Sequence, residues 1–193
     1  MLRKTLFTLG SLVLLAVSAA AAATPPKFPP ATIEQRTYND PAMHYVAPPN
    51  VVLIGMRQVP YQAASHMTPV AIWGIHVEMP DARVITLGYE RFSDGSLHGF
   101  YTTYINELRS ASKGGTFVHR EHAVLVNGMP AYWLKVSSGE GLSQMRTYAY
   151  MWYDGVRGVV LSEEARVGNL SERQAKRDLA GATAVAYPVG RSY

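Results

Sequence analysis

The 193-residue sequence contains no cysteine. This absence excludes disulfide bonds, thiolate metal ligands, a cysteine nucleophile and a lipid-modified N-terminal cysteine. After the N-terminal segment the sequence has no second long apolar run, which argues against a polytopic membrane protein. With 48% hydrophobic and 17% charged residues, the composition is that of a globular chain with room for one ordinary domain.

The first 23 residues have the pattern of a secretory signal peptide. Arg3 and Lys4 form a basic start, residues 6–17 are nearly all apolar, and residues 18–23 are small. An uncleaved N-terminal anchor is the alternative, since the apolar character continues to Ala23. We expect cleavage, an exported protein in the periplasm or outside the cell, and no stable membrane span in the mature chain.

The basic charge of the sequence comes partly from this signal. The full chain has a formal net charge of +4 and a pI near 9.3. Removal of Arg3 and Lys4 with the signal leaves 16 basic against 14 acidic residues, a net charge of +2. The densest basic group left, Arg173, Lys176 and Arg177, lies on one predicted helix surface, so nucleic acid is not an expected partner.

The mature chain divides into a leader, one domain and a short tail. Residues 24–50 hold seven of the twelve prolines, which predicts an extended proline-rich leader that is either a tether holding the domain clear of a surface or a strap lying over it. Residues 51–187 read as a single α+β domain, and residues 188–193 form a C-terminal tail.

Hydrophobic periodicity predicts the order β-β-β-α-β-β-β-β-α for that domain. The first helix carries a 3.6-period apolar stripe from Leu97 to Leu108, and Ser171 opens the second helix with a capping box. Asn127-Gly128 and Asp154-Gly155 predict tight hairpins. We therefore expect an antiparallel sheet of about six or seven strands with helices on both faces.

A group of known proteins shows the same order and similar hairpins. The segment Asn127-Gly128-Met129-Pro130-Ala131-Tyr132, the later Tyr153-Asp154-Gly155 and the final Ser-Glu helix start resemble the α/β/α-sandwich fold of the PsbP/Mog-like proteins. That group includes PsbP of photosystem II, the Ran-binding import factor Mog and small secreted bacterial proteins. The resemblance implies a non-enzymatic module that binds or stabilises partner proteins, with no shared active site to transfer.

The sequence shows no recognised catalytic, cofactor or metal motif. It has no nucleophile elbow, Walker A loop, dinucleotide fingerprint or zinc-protease motif. His119, Glu121 and His122 are the closest approach to a metal cluster, but on a strand His122 points away from the other two. We assign no catalytic, cofactor or metal residues and expect surface positions for these three.

Two other functions remain as alternatives. An envelope hydrolase would use carboxylates or histidines, and it requires a cleft in which groups such as His119, Glu121 or Glu140 converge. A carrier of a small ligand or lipid would require a sizeable apolar cavity beneath the first helix.

The predicted partner-binding face lies on the long aromatic strand. Arg146, Tyr148, Tyr150 and Trp152 are spaced by two, so they project to one side, and Trp133 and Lys135 of the neighbouring hairpin strand could lie beside them. Tyrosine, tryptophan and arginine dominate binding hot spots. The alternative is that this face packs against a helix. We expect an exported non-enzymatic protein, of accessory or immunity type, that binds another protein of the cell envelope.

Overall fold

The computed structural model describes residues 31–56, 66–75, 82–92, 95–111, 115–139 and 144–187. Within these ranges the chain forms eleven strands and two helices: β1 (Thr32–Glu34), β2 (Thr37–Asp40), β3 (Met43–Val46), β4 (Val52–Met56), β5 (Thr68–Ile75), β6 (Arg83–Arg91), α1 (Leu97–Ala111), β7 (Thr116–Val124), β8 (Pro130–Ser138), β9 (Met145–Tyr153), β10 (Arg157–Arg166), α2 (Glu172–Leu179) and β11 (Thr183–Ala184). The predicted signal peptide and C-terminal tail lie outside the described residues.

Seven strands form one antiparallel sheet in the order β4-β5-β6-β10-β9-β8-β7. Two predicted hairpin dipeptides connect β7 to β8 and β9 to β10. Their glycines, Gly128 and Gly155, have φ angles of 87° and 96°, which residues with a Cβ adopt only with strain. The predicted α+β class and the antiparallel sheet of about six or seven strands are confirmed.

The chain between residues 32 and 46 forms strands, although the sequence predicted an extended leader there. β1, β2 and β3 pair in a second antiparallel sheet of four strands that β11 completes. Tyr38 and Tyr45 lie opposite each other in this sheet, and both are buried. The prolines fall before, between and after the strands, so their density over the whole segment concealed three short pairing stretches. The structure therefore differs from the leader prediction over this range.

The four-stranded sheet contributes to the same hydrophobic core as the larger sheet. Tyr45 contacts Trp73 of β5 edge to face, with ring centroids 5.4 Å apart. The indole N–H of Trp73 donates a hydrogen bond of 3.0 Å to the carbonyl of Gln35. Buried aromatic rings of this size contribute about 1.5–3 kcal/mol each, so this segment is part of the folded unit.

Alternate residues of β9 belong to two different core clusters. Trp152 lies in the cluster that also contains Leu179 of α2, whereas Met151 lies in a cluster with Phe100 of α1. Phe100 packs directly on Gly158 of β10, where an added Cβ would lie 2.2 Å from the phenyl ring. The glycine thus permits α1 to approach the sheet closely.

The second helix begins as the capping box predicts. The Ser171 hydroxyl accepts a hydrogen bond of 3.2 Å from the backbone N–H of Gln174. The helix ends at Leu179, and the following residues lead into β11, which pairs with β3.

A buried ion network centred on Arg157 joins the two sheets. Its Nε lies 2.8 Å from Asp154 Oδ2, and its Nη1 lies 2.6 Å from Asp40 Oδ2 on β2. The guanidinium also lies 4.9 Å from the ring centroids of both Tyr89 and Tyr187. Burial lowers the pKa of Arg157, but the neighbouring carboxylates outweigh that effect and raise it, so the charge is retained.

A second buried network attaches α2 to the large sheet. Arg83 Nη1 lies 2.9 Å from Glu163 Oε1 and 3.2 Å from Asp178 Oδ2 of α2. The hydroxyl of Tyr45 donates to the carbonyl of Asp178, which brings the small sheet to the same point. Glu163 is fully buried and its Oε2 has no hydrogen-bond partner. Burial raises the pKa of Glu163 to about 7, although Arg83 opposes the shift.

Candidate functional site

The six residues of the predicted partner-binding face do lie on one side of β8 and β9. The strand register places Trp133 opposite Tyr150 and Lys135 opposite Tyr148. Trp133 also stacks on Tyr148, with centroids 5.9 Å apart. Trp133 and Lys135 of β8 therefore lie beside the residues of β9, as the sequence predicted.

Half of this face belongs to the core. Trp152, Trp133 and Tyr148 are buried. The indole N–H of Trp133 donates to Glu172 Oε1 of α2 at 3.0 Å, and Lys176 Nζ lies 5.2 Å from the ring centroid. Because Trp152 is fully buried, a partner cannot contact it without unfolding this region. Its inclusion in the predicted contact surface is not compatible with its burial.

The Glu172–Lys176 pair that covers Trp133 is itself fixed on the helix surface. Their charged atoms are 2.9 Å apart, one helical turn from each other. The hydrogen bond to Lys176 lowers the pKa of Glu172, and the same bond raises the pKa of Lys176. Both side chains thus remain charged across the neutral range and form a polar rim above the buried indole.

The other three predicted residues, Lys135, Arg146 and Tyr150, are half-buried and reach the surface. Among the described residues, no carboxylate lies within ion-pair distance of Arg146, and its Nε is buried without a hydrogen-bond partner. Lys135 Nζ lies 6.0 Å from the Tyr148 ring centroid. A role of these three residues in partner binding stays a prediction.

The surface continues onto β7, the edge strand beside β8. All nine residues of β7 pair with β8 without a bulge, and no other described strand pairs with it. Large apolar side chains are exposed along it and at its hairpin: Phe117, Val124 and Val126. Sequence periodicity does not reveal which strand forms an edge, so these residues were not predicted as a site.

A cationic and aromatic cluster lies on the α1 side of β7. The guanidinium of Arg120 lies against the rings of Tyr101 and Tyr132, with centroids 4.6 Å and 4.7 Å away, and the two rings contact each other edge to face. Its Nη1 lies 3.3 Å from His98 Nδ1 of α1. His122 packs against Tyr132 at 5.2 Å. We call these five residues the Arg120 cluster.

The histidine and carboxylate singled out from the sequence lie on the opposite side of β7. His119 Nε2 and Glu121 Oε1 are 3.0 Å apart, and both side chains are about half exposed. Within the described part of the chain, no three metal-binding side chains come together. The pair lies on an open strand surface, whereas the hydrolase alternative required a cleft. Glu140 lies outside the described residues.

A buried carboxylate that the sequence did not indicate lies on β6. Glu90 is buried beside α1, and burial raises its pKa to about 7, with a further contribution from Glu107. The backbone N–H of Met67 hydrogen-bonds to this carboxylate. Burial, followed by Glu164 and Glu90, also raises the pKa of Tyr104 to about 12. This group of residues makes stability depend on pH.

The carrier alternative required a cavity beneath the first helix. Phe100 fills that space where α1 begins, because its ring rests on Gly158 and packs with Met151. A groove of about 510 Å³ runs along α2, but it is open and four of its five lining residues are charged. Neither feature resembles an apolar ligand pocket.

No protein-family model matches the chain, and no curated protein sequence is similar to it. Among solved structures, the fold is similar to that of LpqN, which is described as involved in cell envelope biogenesis of Mycobacterium tuberculosis. The two chains share 12% sequence identity with a TM-score of 0.51, over 76% of this chain and 87% of LpqN. In the described residues, no helix has the length and apolar character needed to span a membrane. The comparison establishes a shared fold, and it does not specify the PsbP/Mog-like group.

Proposed function

We propose that this chain is an exported, non-enzymatic protein of the cell envelope that binds another envelope protein in an accessory or immunity-type role. The N-terminal signal pattern supports export. The fold similarity to LpqN, an envelope-biogenesis protein, is compatible with the compartment. A PsbP/Mog-like fold, with helices on both faces of the large sheet, is part of the same proposal.

The observation that carries the proposal is the open edge of β7. An edge strand presents unpaired backbone N–H and C=O groups, and an extended peptide can add to it as a further strand. The exposed Phe117 and Val124 provide apolar contacts next to those groups. Lys135, an accessible residue of the predicted face, lies on β8 directly beside this edge strand, and Tyr150 lies one strand further into the sheet on the same side.

The opposite edge of the sheet is less suited to strand addition. β4 has five residues, and its pairing with β5 is interrupted by a register shift between Leu53 and Gly55. Irregular, short edges resist pairing with another chain, whereas long regular edges invite it. β7 is nine residues long and regular, so it is the edge that we propose as the partner site.

A pair of matched substitutions tests this proposal. Val124 on β7 is 64% exposed and Val52 on β4 is 61% exposed, so lysine is accommodated equally well at both sites. The mature wild-type protein, Val124→Lys and Val52→Lys would serve as baits for cross-linked capture from the envelope fraction of the source cells. The captured protein would then be purified and its affinity measured by calorimetry.

We expect Val124→Lys to weaken binding of the purified partner about tenfold or more, because a charge on an edge strand opposes apolar strand addition. Val52→Lys should bind like the wild type. Equal affinities for all three proteins would exclude β7 as the site. Turnover of the captured molecule by the wild-type protein would refute the non-enzymatic role.

A further inference from the structure

Two arginines of this protein each lie close to two tyrosine rings, and among the described residues only one of them has carboxylate partners. The guanidinium of Arg157 lies 4.9 Å from two tyrosine ring centroids, and its N–H groups contact Asp40 and Asp154. The guanidinium of Arg120 lies 4.6 Å and 4.7 Å from two tyrosine ring centroids. Among the described residues, no carboxylate lies within ion-pair distance of Arg120.

The surroundings of Arg120 are suited to a negative charge. Contact with two rings restricts the motion of the guanidinium, so that less conformational entropy is lost when its N–H groups bind a ligand. His98 and His122 lie beside it and are exposed. The first turn of α1, which contains His98, has no acidic residue. The partial positive charge at the N-terminus of this helix is therefore not compensated within that turn.

Arg120 lies on the edge strand through which we propose that the partner binds. In an antiparallel pair, directly opposed side chains lie about 4.5–5.5 Å apart and point to the same face. A residue of an added strand that opposes Arg120 would therefore face the guanidinium from the open side of β7. Val118 and Val124 flank Arg120 at a spacing of two and four residues, on the same face of the strand.

We propose that the Arg120 cluster binds an aspartate or glutamate carboxylate in an extended peptide segment of the partner. A guanidinium fork matches the two oxygens of a carboxylate. Arg120 is the single lysine or arginine in the cluster, so its charge balances a monoanionic carboxylate rather than a dianionic phosphate. This inference rests on the proposed function, because it specifies the chemistry of the segment that adds to β7.

The test selects peptides from a displayed library of random 12-residue sequences. The baits are the wild-type protein, Arg120→Gln, and Arg109→Gln, which removes one exposed charge from the far end of α1. We expect the wild type and Arg109→Gln to enrich peptides in which an acidic residue lies between β-branched or aromatic residues. Arg120→Gln should still enrich the apolar pattern but lose the preference for the acid.

Affinities of one selected peptide and its acid-to-amide version complete the test. The amide version should bind the wild-type protein about 10- to 100-fold more weakly, and Arg120→Gln should bind both versions alike. Arg120→Lys should recover only part of the difference, because lysine keeps the charge without the fork. These two readouts do not depend on the stability of a single variant.

Each outcome separates the two proposals. If the wild type enriches strand-like peptides without an acidic preference, or if Arg120→Gln keeps that preference, the inference about Arg120 is refuted while the β7 site stands. If no extended peptide is enriched, or if Val124→Lys enriches the same peptides equally well, strand addition to β7 is refuted and the carboxylate inference fails with it.

Discussion

Arg157 and Arg120 have similar aromatic neighbours and different partners. Each guanidinium lies 4.6–4.9 Å from the centroids of two tyrosine rings. Arg157 is buried and contacts Asp40 of the small sheet and Asp154 of the turn between β9 and β10, whereas Arg120 lies on an edge strand and is only half-buried. The position of the arginine in the sheet, rather than its aromatic neighbours, thus decides whether the chain itself supplies a carboxylate partner.

The energetic consequences of losing the two arginines should differ accordingly. Removal of Arg157 leaves Asp40 and Asp154 buried without their cation. An uncompensated buried charge costs several kcal/mol, while a half-exposed cation above aromatic rings contributes about 1 kcal/mol or less. Arg157 therefore stabilises the fold, whereas Arg120 contributes little to stability, as expected for the binding residue that we propose.

The largest expected effect is that of Arg157→Met. We expect it to lower the free energy of unfolding by about 3–5 kcal/mol, because two buried carboxylates lose their hydrogen-bonded partner. Urea unfolding monitored by tryptophan fluorescence measures this change. Arg120→Met is the matched control and should cost about 1 kcal/mol or less. Similar losses for the two variants would remove the distinction between them.

The buried carboxylates also differ in whether a cation contacts them. Asp40 and Asp154 contact Arg157, whereas the carboxylate of Glu90 is bonded by a backbone N–H and its pKa is raised to about 7. The folded protein therefore binds an extra proton at Glu90 between its ordinary pKa of 4.5 and about 7. The stabilisation associated with this proton is fully present below pH 4.5 and is lost as the pH rises through 7.

An intermediate effect is thus expected for Glu90→Gln. Between pH 5 and pH 8 the free energy of unfolding of the wild type should fall. The free energy of unfolding of Glu90→Gln should fall by about 1–3 kcal/mol less, because the amide does not ionise. Part of the pH dependence of the free energy of unfolding should remain, since burial also raises the pKa of Glu163 to about 7. Urea titrations at both pH values measure the slope.

The control for this experiment is Glu34→Gln, which removes an exposed carboxylate of β1. It should leave the pH dependence unchanged. If Glu90→Gln has the same slope as the wild type, Glu90 ionises normally in the folded protein.

Local periodicity predicted most of the large sheet and both helices. The two hairpin turns, the stripe of α1 and the cap at Ser171 each depend on a few neighbouring residues, and each was found at the predicted position. The four-stranded sheet was not predicted, because the density of prolines concealed the local pairing of β1, β2 and β3, and because β11 joins β3 across some 140 residues of sequence. Pairing at that distance has no signature in a single short window.

The candidate site was predicted only in part for a related reason. Spacing by two placed Arg146, Tyr148, Tyr150 and Trp152 on one face, and the register confirms that Trp133 and Lys135 are beside them. Spacing does not show that α2 covers Trp133 or that β7 ends the sheet. The Arg120 cluster combines α1 with β7 and β8, so it exists only in the folded chain.

The smallest expected effect comes from giving Arg120 a carboxylate of its own. His98 Nδ1 lies 3.3 Å from Arg120 Nη1, so a glutamate at this position can reach the guanidinium. Position 98 is also in the first turn of α1, where a negative charge is favourable. We expect His98→Glu to raise the free energy of unfolding by about 0.5–1 kcal/mol at low ionic strength and by less at high salt.

A double-mutant cycle separates the two contributions. His98→Glu combined with Arg120→Met should retain the helix contribution and lose the ion pair, and His98→Gln should show neither. If the gain is unchanged without Arg120, the guanidinium does not accept this carboxylate. Because the new glutamate occupies the guanidinium, His98→Glu should also weaken binding of acidic peptides while their amide versions bind as before. In this variant the chain itself would supply a carboxylate partner for Arg120, as it already does for Arg157.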